Sequence, residues 1–567
     1  MPQLTFQSIA ILVCCSCLLP QSVRAQSIPR PIPIEPQPLP ETGPLPPPEE
    51  LLQPLEPPQS PEQPELEVPG TITVQQFEVR GSTIFGPEAL AEVLAPFTDR
   101  LITFTELLEA QQAVTQLYLD NGYITSGAFI PPQTLDQGIV VIEVIEGTLE
   151  EIEITGLDRL RADYVRSRIE RGTRTPLNQN QLLSTLQLLQ LNPLIERLSA
   201  ELSAGSRPGL SRLEIELEEA DALALGLTFD NQRSPSVGSF RRLIEVTHSN
   251  LTGRGDRLNV TYYNTDGSNT LDDLSYSLPI NSRDGTITLS HRRTRSNVIE
   301  EPFNQLDIES NSQTYEISYR QPFILTPTTE LALGITGSIQ DTSTALEGDP
   351  FPLSLGADPE GNTRITALRV FQEYTTRNTE EVFAARSQFS LGVGALDATV
   401  NQDLPDSQFF AWRGQAQYLR LLGPDTFLIL RSDLQLADSA LLAQEQFSLG
   451  GVYSVRGYRQ DALLADNGLL LSAEVEVPIL RIPEWNNTVL KLTPFVDWGK
   501  IWNNGNLSEV ILEKNTLASV GLGLKLLVSD NFTAQLTWGI PLIDLLNTGN
   551  TLQEDGIYFS VRYRVAF

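Results

Sequence analysis

Beyond Ala220 this chain has no run of apolar residues long enough for a membrane-spanning helix. It has instead a succession of segments of about ten residues in which apolar and polar side chains alternate. Alternation at period two gives a strand one apolar and one polar face. In lipid every backbone amide and carbonyl must find a partner, so such strands cross a bilayer only when they close on themselves. The last segment shows the pattern most plainly. Ile557, Phe559, Val561, Tyr563, Val565 and Phe567 share one face; Tyr558, Ser560, Arg562, Arg564 and Ala566 share the other. The alternation assigns residues 221–567 to a transmembrane β-barrel.

Placed by this rule, strands begin near Leu223, Ser239, Gly255, Leu271, Gly285, Ser312, Thr329, Arg364, Ala384, Gln408, Thr426, Asn467, Thr488, Thr516, Asn531 and Gly556. That makes about sixteen antiparallel strands, an even number as in single-chain bacterial barrels. Short turns such as 421–424 and Ser529-Asp530 belong to one rim, and long polar loops at 295–311, 341–363, 438–466 and 541–555 to the other. The stretch 374–383 reads as a turn longer than this rhythm requires. Arg254-Gly255-Asp256 spells an adhesion tripeptide but falls in a short turn between strands. Asp266-Gly267-Ser268-Asn269 and Asp272-Asp273 read as solvated surface acid in preference to a weak Ca²⁺ loop.

Ahead of the barrel the texture is a repeat. Phe77-Glu78-Val79-Arg80-Gly81 and Ile152-Glu153-Ile154-Thr155-Gly156 are the same strand-then-glycine phrase, 75 residues apart. In the first unit Pro87–Ala95 reads as a helix with proline in its first turn. Thr105–Leu119 is a second helix, with Leu107, Ala110, Val114, Leu117 and Tyr118 on one face and Gly122 as its stop. Strands follow at Phe129–Ile130 and Ile139–Ile145. The second unit repeats the order with helices at Ala162–Arg171 and Asn178–Leu191, the latter turning Leu182, Leu183, Leu186 and Leu189 inward, then strands near Ile195–Leu202 and Leu213–Leu217. The units are placed at 71–147 and 148–220. A β-α-α-β-β module offers a strand edge and a helix groove suited to an extended chain; a rigid spacer is the plainer alternative.

The N-terminus is of another kind. Ile9–Leu19 has the length of a signal-peptide core, and Val23-Arg24-Ala25 offers small or modest residues for cleavage before Gln26, although no Lys or Arg precedes it. Residues 1–25 are therefore expected to be removed on export. Residues 26–70 form a tether rich in proline and glutamate, extended because proline lacks the amide proton. Only Glu49–Leu52 has room for a helical turn. All three cysteines lie before Gln26, so the exported chain is expected to have neither disulfides nor a cysteine metal site. The net charge of −32 argues against nucleic acid. The two histidines, His248 and His291, lie in separate strands; no HExxH, GxSxG or GxxxxGK occurs, and neither enzymatic activity, metal nor cofactor is expected.

The informative loop is the one at 438–466. Its tip runs Leu449-Gly450-Gly451-Val452-Tyr453-Ser454-Val455-Arg456-Gly457-Tyr458-Arg459-Gln460-Asp461, with glycines that allow tight turns and close approach. Arg456 has no carboxylate at a local pairing offset. A guanidinium held in an ordered, partly buried loop needs an acceptor elsewhere. The best candidate is Asp497, a lone acid in the apolar strand Pro494-Phe495-Val496-Asp497-Trp498-Gly499. Read alone, the same residues also fit a solvated arginine on a glycine-rich tip.

Ser454-Val455-Arg456-Gly457-Tyr458 followed by Phe495-Val496-Asp497-Trp498-Gly499 resembles the paired signatures of the two-partner secretion transporters, the haemolysin activator family. The resemblance covers residues 71–567, within the superfamily of outer-membrane barrels that carry POTRA domains. It implies a fold of an α+β periplasmic POTRA pair followed by an all-β outer-membrane barrel of about sixteen antiparallel strands. It implies passage of an unfolded exoprotein, bearing an N-terminal secretion domain, from periplasm to surface without ATP. Val455, Arg456, Gly457 and Tyr458 would then form a lumenal loop motif seated against Phe495, Asp497 and Gly499 of the wall. The ion pair is expected to be partly wet and to fix the loop's position more than to add stability. Tyr563, Val565 and Phe567 resemble the C-terminal signal by which the barrel-assembly machinery recognises its clients. A monomer in outer-membrane lipid is expected. Two other readings stay open: an assembly factor of the same superfamily, which usually has three or more POTRA domains, and a diffusion porin or adhesin, which needs neither the modules nor the loop.

Overall fold

The computed structural model describes residues 52–53, 71–134, 138–403, 405–504, 514–545 and 549–567. The expected signal peptide, and the tether apart from Leu52–Gln53, lie outside the described residues.

In the first module Gln76–Arg80 pairs in parallel with Ile139–Ile145, which pairs antiparallel with Gly127–Phe129. Helices Pro87–Leu94 and Phe104–Asp120 cover this sheet. The longer helix starts with a capping box: the Thr103 hydroxyl accepts from the Glu106 amide while the Glu106 carboxylate accepts from the Thr103 amide. Leu107, Ala110, Val114 and Tyr118 are buried on its inner face, and Leu117 is only half-buried at the margin. One strand escapes the sequence pattern. Arg100–Thr103 pairs with Thr71–Val74, but its four residues bury only Ile102, too few to show alternation.

The second module repeats the plan with Thr148–Thr155, helices Ala162–Ile169 and Gln179–Gln190, and strands Ile195–Ala204 and Leu210–Glu219. Leu182, Leu186 and Leu189 enter its core; Leu183 is half-buried at the edge of that stripe. Gly81 and Gly156 end the first strand of each module at φ of 83° and 79°. A Cβ there would run into the carbonyl oxygen of Val144 or Leu217, which is the physical basis of the repeated phrase. Leu52–Gln53 adds a parallel strand to the edge at Ala200–Glu201. Leu52 thus stands in a strand where a helical turn had been expected.

Residues 223–566 close into a barrel of 16 antiparallel strands. The closure pairs Leu223–Asp230 with Ile557–Ala566, and the Phe567 amide donates to the Leu223 carbonyl at 2.8 Å. Outward residues are apolar and exposed, as with Tyr315, Ile317 and Tyr319, while the intervening Glu316, Ser318 and Arg320 face the lumen. Strand starts fall within a few residues of those read from alternation. The exception is 374–383, where the strand continues to Arg377 and the next starts at Glu381. The connection is tight because the Asn378 side chain accepts from the amides of Glu380 and Glu381.

Short turns line the rim beside the second module, which docks there through its first helix. The Arg161 amide donates to the Gly253 carbonyl at 2.9 Å. Arg168, stacked 3.5 Å above the Tyr164 ring, pairs with Asp284, and Arg171 donates to the Ser282 carbonyl at 3.0 Å. Arg254-Gly255-Asp256 belongs to this joint, since Gly255 packs on the Tyr164 ring. The long loops, including 438–466, leave the opposite rim.

Candidate functional site

The loop between Thr426–Ala437 and Asn467–Ile482 folds back into the barrel. Its stem is a small hairpin, Phe447–Leu449 against Leu463–Ala465, and its tip is 450–462. Phe447, Leu449, Val455 and Tyr458 bury themselves against Leu470, Ile501 and Leu517 of the wall. Gly450, Gly451 and Gly457 take φ of 104°, 104° and 96°, which side chains rarely adopt. Gly457 also meets the wall at Gly539: a Cβ on it would stand 3.0 Å from the Gly539 carbonyl carbon. Gly499 leaves the space that Leu449 and Val455 fill.

Arg456 reaches across to Asp497. Its Nε lies 2.8 Å from Oδ2 and its Nη2 2.9 Å from Oδ1, a bidentate fork, and its backbone amide donates to Oδ2 at 3.1 Å. The guanidinium carbon stacks 3.5 Å from the Phe495 ring centroid. Ser472 Oγ donates to Asp497 at 2.7 Å and holds that carboxylate in register. Arg456 is 5 % exposed and Asp497 1 %, so the partly wet contact expected from a water-filled lumen is in fact buried. The loop itself displaces the solvent.

Sequence reasoning missed the second acid. Arg456 Nη1 also pairs with Glu474, from the neighbouring strand. Two residues on, Glu476 accepts from Lys491 at 2.9 Å and Lys525 at 3.0 Å. Three cations and three carboxylates therefore balance on this patch of wall. The available signal was period two: Glu474 and Glu476 alternate with Ala473, Val475 and Val477, which puts both acids on the lumenal face.

The tip is held beyond this cluster. The Gly457 amide donates to the Tyr558 hydroxyl at 3.0 Å, and that hydroxyl donates to the Tyr458 carbonyl. The Tyr458 hydroxyl lies 2.8 Å and 2.9 Å from the carbonyls of Ala518 and Ile543. Arg459 forks onto Glu300 at 2.8 Å through both terminal nitrogens and lies 3.4 Å from Glu554. The Gln460 amide donates to Gln553, whose side chain donates on to the Arg233 carbonyl at 2.7 Å. On the opposite wall Glu445 of the same loop pairs with Arg369. None of these outlying partners has a sequence pattern of its own. At the C-terminus Tyr563 and Phe567 expose their rings on the outer face and Val565 is half-buried beside them.

Residues 209–526 match the family model of the haemolysin secretion/activation proteins ShlB/FhaC/HecB, and residues 72–147 match the ShlB-type POTRA domain. Among curated proteins, the heme/hemopexin transporter protein HuxB of Haemophilus influenzae is 23 % identical over 504 residues, 84 % of each chain. The outer membrane transporter CdiB of Dickeya dadantii is 24 % identical over 449 residues, 76 % of each. Among solved structures, CdiB from Escherichia coli superposes with a TM-score of 0.68 at 22 % identity, covering 89 % of this chain and 93 % of that one.

Proposed function

The chain belongs to the haemolysin secretion/activation family, and from that premise we propose that it takes an unfolded exoprotein in the periplasm and delivers it to the cell surface in two-partner secretion. It is an outer-membrane transporter, with its POTRA domain in the periplasm. The observation that carries the mechanism is the loop anchored inside a closed barrel directly above a docked periplasmic module. Both modules, 71–147 and 148–220, act as POTRA domains that receive the exoprotein in extended form, and the lumen of 221–567 conducts it.

Val455, Arg456, Gly457 and Tyr458 hold the loop against Phe495, Asp497 and Gly499, so that the loop fills the lumen at rest and must shift for a chain to pass. A buried fork suits this task. Its two parallel bonds fix orientation, and its carboxylate and guanidinium reseat in one geometry only. Tyr563, Val565 and Phe567 present the aromatic end that the assembly machinery reads during insertion. The test is exoprotein recovered in the medium, normalised to heat-modifiable barrel in outer membranes. Deleting 71–220 is expected to leave a folded barrel and abolish export; export at normal yield would refute the docking role.

A further inference from the structure

In a chain with 71 acidic and 39 basic residues, arginines collect where the second module meets the barrel. Arg171 and Arg174, at the end of the module's first helix, and Arg283, in the turn between Ser268–Pro279 and Thr286–Asn297, line one groove. Arg168 is there too, but Asp284 neutralises it. Arg171 is half-buried, and its basicity is lowered first by that burial and then by the neighbouring guanidinium groups of Arg283, Arg168 and Arg174, against the opposing pull of Asp284. Uncovered like charges placed together cost stability unless an anion joins them.

The groove does not end there. Leu188, Asn192, Asp284 and Leu325 also line a second groove, which runs to Arg257, Arg377 and Glu330 at the barrel rim. Glu330 pairs with the lumenal Arg320 at 2.6 Å, so this path leads into the lumen and not onto the lipid-facing wall. None of Arg171, Arg174, Arg257, Arg283 and Arg377 has an ion pair among the described residues. Higher in the lumen the arginines are already matched: Arg292, Arg369, Arg386 and Arg413 pair with Asp272, Glu445, Glu373 and Asp433, so the uncovered lane ends at the rim. Such a succession fits an extended polyanion better than a single small anion.

We propose that this lane of arginines is the periplasmic docking track for glutamate- and aspartate-bearing extended stretches of the exoprotein. The inference rests on the translocator reading and deepens it, naming the chemistry of what docks and where the chain turns into the barrel. Each guanidinium presents a planar fork that a side-chain carboxylate matches, and successive forks read charge while tolerating sequence. Encounter is correspondingly steered by charge and weakened by salt.

The experiment uses the full chain in lipid nanodiscs and, as probe, a fluorescein-labelled peptide of alternating glutamate and serine, followed by anisotropy. Its glutamine–serine counterpart is the control. Arg174 and Arg283 are exposed and their side chains form no bond among the described residues, so Arg174→Glu with Arg283→Glu is expected to leave the barrel heat-modifiable. The glutamate peptide is expected to bind, to lose affinity about tenfold in the double variant, and to weaken with salt; the same variant exports less exoprotein. Equal binding of the glutamine peptide, or unchanged binding to the variant, overturns the lane. Unchanged peptide binding with loss of co-purified anionic phospholipid reassigns the groove to a lipid headgroup and also overturns it. If 71–220 is needed for export while the double variant exports normally, the lane falls and module docking stands. If the deletion itself exports normally, the docking reading falls with it.

Discussion

Replacing Arg456 by alanine removes the one cation shared by Asp497 and Glu474, which sit at 1 % and 7 % exposure. Losing one member of a buried ion pair costs about 3–5 kcal/mol, because the remaining charge has neither partner nor water. Two stranded carboxylates on adjacent strands put the expected loss at the upper end. Undocking the loop lets water reach both acids, so the free energy is recovered by leaving the lumen. Loop occupancy should therefore fall by about 10²–10⁴-fold, at ~1.4 kcal/mol per decade. Asp497→Asn is milder, since Glu474 still neutralises the guanidinium and the amide still accepts a bond; about 1–2 kcal/mol is expected. Arg456→Lys retains the charge but loses the fork and the flat stacking surface on Phe495, so it should lie between them. Exchanging the pair, Arg456→Glu with Asp497→Arg, should recover little, because the new glutamate faces Glu474. Single-channel recordings in planar bilayers measure occupancy as the fraction of time the pore is blocked, and trypsin cleavage at Arg459 measures it independently. An alanine variant with parental block and parental trypsin resistance, in a heat-modifiable barrel, would refute the reasoning. So would Asp497→Asn proving as severe as Arg456→Ala.

Tyr558→Phe removes the hydroxyl that joins the Gly457 amide to the Tyr458 carbonyl; a loss of about 1–2 kcal/mol in loop docking is expected, read as more frequent pore opening. Arg168→Met keeps packing against Tyr164 but breaks the pair with Asp284, so hydrogen exchange in 160–172 and 280–285 should rise together; a change confined to one side would contradict a shared joint. Acid should loosen the first module. Burial pushes the Glu146 carboxyl up, but bonds from the Thr83 hydroxyl and amide, the Tyr118 hydroxyl and the Ile84 amide outweigh it and hold it below the ordinary carboxylate range. A depressed folded pKa gives stability that is full above the unfolded value of about 4 and lost as pH falls through the folded one. Protection of 82–86 in the parent should therefore drop below about pH 4, whereas in Glu146→Gln it should be low and insensitive to pH.

What was legible in the sequence follows from what is periodic or repeated. A strand with lipid on one face and a lumen on the other must alternate, so Ile557–Ala566 and most of its neighbours could be placed from residue type alone. Gly81 and Gly156 were conspicuous because each closes the same repeated phrase, and the structure gives the reason: a side chain there would strike a carbonyl. Asp497 stood out as the one acid in its strand. Glu474 was harder to find, since alternate acids on a lumenal face look like ordinary solvated wall. Tyr558 was placed on the correct face, yet nothing local says that its hydroxyl receives a loop 100 residues away in sequence. Burial of the Arg456 pair was misjudged for a related reason: a lumen is wet in general, and only the path of 438–466 makes it dry at this point.

The loop's contacts also bear on how passage can occur. Arg456 binds the strands Asn467–Ile482 and Thr488–Trp502, but Tyr558 belongs to the last strand, and Gln553 ties Gln460 to Asn231 and Arg233 beyond the first. One tip thus spans wall segments on both sides of the barrel closure. Fixing it braces that closure from inside, next to the short seam between Leu223–Asp230 and Ile557–Ala566. The anchors differ in kind. Asp497 and Glu474 form a buried charge cluster that resists partial withdrawal, whereas the Arg459–Glu300 pair is about a quarter exposed, where water and salt reach it. A moving chain that competes for the outer contacts first meets the weaker ones. On the proposed reading the Arg456 fork is expected to be the last to yield and the first to reseat, so it would be the element that returns the lumen to its filled state after each passage.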